Sequence, residues 1–155
     1  MNILRQIIFS LKNRDRQRSR VYSAEHYAEK ASPRYTHFAP MKSGKTTVKS
    51  LIAKSTGDAR INATISFRKS DTLQSWASCG VINLCIRNGM LSDYEVLHEL
   101  AHLLQGEGGA DHGKEFASIF LLLVKQGLPQ ECYDALLTGY KIHRVKYEIM
   151  KEGEL

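Results

Sequence analysis

What the sequence lacks narrows it first. No stretch of its 155 residues stays apolar for the roughly 18 residues that a membrane span requires. Cysteine is scarce: Cys79, Cys85 and Cys132 form no CxxC pair and leave one thiol over in any pairing. A disulfide framework and a cysteine-rich zinc module are therefore excluded, and a reduced, cytoplasmic setting is expected. All three thiols read as small buried apolar groups. No secretory signal is expected either. In MNILRQIIFSLKNRDRQRSR the apolar stretch is short, the flank after it is basic, and no small-residue cleavage site follows. Ile3, Leu4, Ile7, Ile8 and Leu11 fall at helical spacing, which predicts a short amphipathic segment over 1–13 packed on the domain. There is no internal repeat and no low-complexity tract.

What is present suits one domain, 1–155, with a real core and a frayed tail at 150–155. The chain is 43% hydrophobic and 25% charged, ordinary for a globular protein. Its charge is uneven. Residues 1–69 hold 15 Lys/Arg against 4 Asp/Glu, while residues 70–155 hold 7 against 12, which together give the net +6. A basic N-terminal half makes nucleic acid or an acidic surface a candidate partner. Neither a base-reading motif nor an aromatic stacking platform accompanies it.

Along the chain, RDRQRSRVYSAEHYAEKA (14–31) predicts a helix with an apolar face of Val21, Ala24, Tyr27, Ala28 and Ala31, stopped by Pro33. Residues 32–45 read as a loop and 46–55 as a short helix. INATISF (61–67) alternates as a strand does, and CGVINLCI (79–86) is a second strand, ahead of a turn at Asn88 and Gly89. Trp76, beside that strand, reads as core. Ser92 with Glu95 forms a capping box before the apolar run of 92–104, and Gly106, Gly108 and Gly109 end that helix. Further helices are expected from Gly113 or Lys114 to Gly127 and over 129–138, with a weak one in the last residues. The order predicts an α+β domain with a small, mostly antiparallel sheet.

The chemistry concentrates in VLHELAHLLQGEGGADHGKEF (96–116). On a helix, residues i and i+4 lie about 40° apart around the axis, so His98 and His102 face one way. They can share one Zn²⁺. Glu99, rotated about 100° from His98, is poorly placed as a ligand but can reach a water on the metal as general base. A catalytic zinc needs a third protein ligand and leaves its fourth position open. The glycine-rich turn returns His112 as the favoured third donor, over Glu107, Asp111 and Glu115. Phe116, one turn on, is placed to pack beside the site. A chance HExxH on a solvated helix is the competing reading; the cap, the apolar back face (Val96, Leu97, Leu100, Ala101, Leu103, Leu104) and the third histidine weigh against it.

HELAH followed by HGKEF resembles the SprT-like (Spartan-type) zinc metallopeptidases. RDRQRSRVYSAEHYA (14–28) resembles a group of small uncharacterised bacterial and phage metallohydrolases with the same core. The resemblance implies a zincin-like fold, one Zn²⁺ held by His98, His102 and His112, and Glu99 as base. It also puts CGVINLCI where the family has an edge strand, along which a peptide could lie antiparallel. The spacer before His112 is shorter than in many relatives, and the zinc ribbon some of them carry is missing. Tyr140, His143 and Arg144 are candidates for a second oxyanion stabiliser, and Asp111 or Glu115 for orienting a ligand imidazole. A second hypothesis is a nucleic-acid-associated binding protein whose zinc is structural. APMKSGKT (39–46) matches a relaxed nucleotide-binding pattern, but no apolar strand precedes it, so it reads as a loop leading into a helix.

Overall fold

A computed structural model describes residues 15–32, 36–38, 44–57, 61–70, 72–88, 90–106, 111–151 and 153–155. The first helix, α1, spans Arg18–Ala31. A short strand β1 (Thr36–Phe38) precedes α2 (Gly44–Thr56). Four strands follow: β2 (Thr64–Lys69), β3 (Trp76–Ser78), β4 (Val81–Ile86) and β5 (Met90–Ser92). The chain closes with α3 (Asp93–Gln105), α4 (Lys114–Gly127) and α5 (Gln130–Ile142). The domain is thus mixed α+β, with helices around a small sheet. The segment 1–13, the decoy residues 39–43 and the side chains of 33–46 lie outside the described residues.

The sheet differs from expectation in two ways. Its order is β2-β4-β3, with β1 and β5 forming a separate antiparallel pair. The longest pairing, β2 with β4 from Thr64↔Val81 to Lys69↔Ile86, is parallel, so "mostly antiparallel" holds for the short pairings only. β4 is also the central strand rather than an edge. Ile82, Leu84, Cys85 and Ile86 are all buried. A strand buried on both faces reads as a nearly continuous apolar run, and in VINLCI only Asn83 interrupts it. β2 forms one edge of this sheet, and the other belongs to β3. It reaches β4 through a tight turn at Cys79 and Gly80, whose φ of 48° and 75° are those of a type I′ hairpin turn. Cys79 is therefore exposed, unlike Cys85 and Cys132, and Trp76 is 46% exposed on the edge instead of in the core.

α3 carries the site and packs on β3 and β4 of the sheet, on β5 and on α4. Ser92 caps it, its hydroxyl accepting from the Tyr94 N–H at 3.2 Å. The other half of the capping box does not form, because Glu95 turns to Ser75 (2.5 Å) and Arg87 (3.6 Å) instead. Gly106 ends the helix at φ 72°.

α1 lies along α5. Gly139 makes this approach possible, since a Cβ there would stand 2.7 Å from the Ala24 carbonyl oxygen. The buried face of α1 is Val21, Ala24, Glu25 and Ala28, with Tyr27 and Ala31 turned outward. A carboxylate occupies a place the apolar pattern gave to neither neighbour. Beyond Ile142 the expected C-terminal helix does not form among the described residues. After Ile142 the chain turns through Arg144 at φ 55°. It then runs back between α1 and α4, where Lys146 exchanges two hydrogen bonds with Gln17 and the Glu148 N–H donates to Ser118.

Candidate metal centre

The spacing of HELAH does locally what helix geometry requires. His98 and His102 emerge from one face of α3, and the following turn brings back His112 just before α4 begins. One donor atom from each of the three rings falls within 4.8 Å of the others. His98 and His112 are buried, and His102 is half-buried. The ring of Phe116 packs against all three imidazoles, with centroids 4.4–4.9 Å away, and is itself fully buried. It forms the dry back wall.

The strongest geometric feature is how the rings are oriented. Glu25 Oε2 lies 2.8 Å from His98 Nδ1, and Asp15 Oδ2 lies 2.7 Å from His112 Nδ1. A carboxylate there requires the hydrogen on Nδ1, which leaves each Nε2 facing inward. Those two Nε2 atoms are 3.2 Å apart. Two lone pairs at that distance repel unless a positive charge stands between them, either a shared proton or a metal ion. Tetrahedral Zn²⁺ with bonds of about 2.0–2.1 Å separates its nitrogen ligands by about 3.3 Å. The donor set and its spacing therefore fit zinc.

The electrostatics agree. Burial, together with the neighbouring His98, His112 and Arg18, lowers His102 to about 3, so it presents a lone pair at neutral pH. Burial also lowers His112, against its hydrogen bond to Asp15. At His98 burial pulls down, but the charge and hydrogen bond of Glu25, with Glu99 and Glu95 behind, raise it overall. Glu99 is nearly buried, and burial raises its carboxyl to about 7, with Glu25 and Glu95 adding and His98 opposing. A carboxylate held near neutrality is suited to taking and returning a proton.

Glu99 and His98 open onto a cleft of about 230 Å³ that Tyr22 and Glu29 border on one side and Gln74 and Ser75 on the other. Burial first, then Glu25 and Glu99, raises the Tyr22 phenol, so it stays protonated. Ser75 continues into the free edge of β3, and its hydroxyl accepts from the Cys85 N–H at 2.8 Å.

The three histidines thus cluster, with Glu99 on the cleft that His98 borders, while the expectations about their support do not hold. Asp111 and Glu115 are exposed, and Glu107 lies outside the described residues. The imidazoles are oriented instead by Glu25 and Asp15. Tyr140 is fully buried with its hydroxyl donated to the Ala117 carbonyl, so it faces the core. Arg144 is exposed, and its carbonyl accepts from Arg20. The signal for Glu25 was available: it shares the helical phase of Val21 and Ala28, so it had to be buried and therefore partnered.

Comparison of the chain with family models, curated proteins and solved structures finds no match to any of them. The site is read from its own geometry.

Proposed function

We propose that the protein is a zinc-dependent metallohydrolase, acting on peptide bonds, with His98, His102 and His112 as metal ligands and Glu99 as general base. The observation that carries this reading is the inward-facing imidazole set, two of its rings backed by the carboxylates of Glu25 and Asp15, with a near-neutral carboxyl beside it. The resemblance of HELAH and HGKEF to SprT-like peptidases, and the zincin-like fold it implies, support the same reading.

A divalent ion held there supplies Lewis acidity, lowering the pKa of a water toward about 7 and polarising the substrate carbonyl. The protein's own residues do the rest. Glu99 takes one proton from the attacking water as its oxygen bonds to the carbonyl carbon, and the carbonyl π electrons move onto oxygen. As the C–N bond breaks, those electrons return and Glu99 passes its proton to the leaving amine. The products are a carboxylate and an amine. Since β4 is flanked on both sides, the extended substrate is assigned to the outer edge of β3, because Ser75, just before that strand, lines the cleft and Trp76 on it is half-exposed.

Glu99→Gln tests this. The variant should bind zinc as the wild type does while hydrolysis of an unfolded protein substrate falls by about 10²-fold or more. Equal cleavage by both proteins would refute it.

One observation favours the second reading, a nucleic-acid-associated protein with a structural zinc. Arg16, Arg20, Lys114 and Lys146 line a separate cavity of about 310 Å³ beside the start of α4. That reading predicts oligonucleotide binding that weakens steeply with salt and survives Glu99→Gln.

A further inference from the structure

The proposed hydrolysis needs a donor for the negative oxygen besides the metal, and of the residues expected to supply it Tyr140 faces the core and Arg144 is exposed away from α3. We infer that Tyr22 is that donor, a catalytic residue whose hydroxyl hydrogen-bonds the substrate oxyanion, with Arg18 holding its ring in position. The inference rests on the metallohydrolase reading.

The placement follows from the two aromatic rings that enclose the histidines. Phe116 stands on the buried side and carries no polar atom. Tyr22 stands on the cleft side, its centroid 5.1 Å from His98 and 5.1 Å from His112. It is 39% exposed and lines the same cleft as Glu99. A substrate carbonyl entering there meets Glu99 from α3 and Tyr22 from α1. Tyr22 is set by the same helix that buries Glu25, three residues on, against His98. The docking of α1 that orients the metal ligand therefore fixes the phenol too.

Arg18, one turn before Tyr22, lies 5.6 Å from the centre of its ring and reaches across to Gln74 Oε1 at 3.5 Å. The guanidinium thus ties α1 to the opposite wall and keeps the ring over the histidines. A preorganised neutral donor aimed at developing charge is the arrangement that contributes most to such reactions, and losing one costs about 10²–10³ in kcat.

The test uses the zinc-loaded full chain with an unfolded protein and a quenched peptide as substrates, comparing wild type, Glu99→Gln, Tyr22→Phe and Tyr22→Ala. The inference predicts that Tyr22→Phe keeps one zinc per chain and a KM within about twofold, while kcat falls about 10²-fold. Tyr22→Ala should fall at least as far. If Tyr22 only packs on the imidazoles, Phe will match wild type while Ala loses metal, and the inference is overturned with the metallohydrolase reading intact. If zinc-loaded wild type cleaves no better than Glu99→Gln, that reading fails and takes the inference with it.

Discussion

Two stretches of the chain build the centre in different ways. The span from α3 into the start of α4 supplies every proposed ligand and the base within one short local motif. The stretch from Asp15 through α1 supplies no ligand, yet it orients two of the three rings, from positions 73 and 97 residues away in sequence. The first stretch decides which atoms can bind; the second decides where they point. A triad of histidines without Glu25 and Asp15 would be free to rotate its rings and choose other tautomers.

Substitutions can separate these contributions. The largest stability effect should come from the back wall. Phe116→Ala empties a fully buried site against three imidazoles and is expected to cost about 3–5 kcal/mol, read from denaturant unfolding. An effect below about 1 kcal/mol would mean that the wall is not packed as described. Next comes the orienting pair. Glu25→Gln and Asp15→Asn should each weaken zinc affinity about 10–100-fold without unfolding the protein, measured by competition with a chelator. Unchanged affinity in both would reduce α1 to a mere packing element.

Glu25 also sets the pH response. Because it raises His98, a proton competes with metal at that ring, so zinc affinity should fall as pH drops through the raised His98 value. Glu25→Gln removes that cause, so its affinity profile should break at a lower pH than the wild-type profile. An unmoved profile would show that Glu25 does not act on His98. Gly139→Ala sharpens the comparison further. The added methyl group meets the Ala24 backbone and should cost about 1–3 kcal/mol, while zinc binding weakens because α1 shifts. The smallest stability effect is expected at Trp76. On an exposed edge, Trp76→Ala should change stability by about 0.5 kcal/mol or less yet raise KM for a long peptide.

Much of the centre was legible because it is local. HELAH places two rings through helix periodicity alone, Ser92 marks the start of α3, and a glycine-rich turn before His112 announces the return. What escaped the sequence reading depends on distant packing. That Glu25 meets His98 follows from α1 lying on α5 across Gly139, which no short window contains. The edge assignment of β4 went wrong for a different reason. The run VINLCI, apolar at every position but Asn83, signals a strand covered on both sides, against the edge position that the family resemblance implies. Trp76 and Cys79 were placed inside by residue type alone, where the hairpin turn puts both at the surface. The tail was read as helix from its residues, but its hydrogen bonds go to Gln17 and Ser118 instead.

Metal content decides most directly whether these imidazoles form a zinc centre. Full-length protein, purified without chelators and dialysed against zinc-free buffer, should carry one zinc per chain by elemental analysis. Glu99→Gln should carry the same, and His112→Ala essentially none. Wild-type protein that takes up no zinc when supplied with it, or zinc that stays after His112 is removed, would contradict a centre built from these three rings.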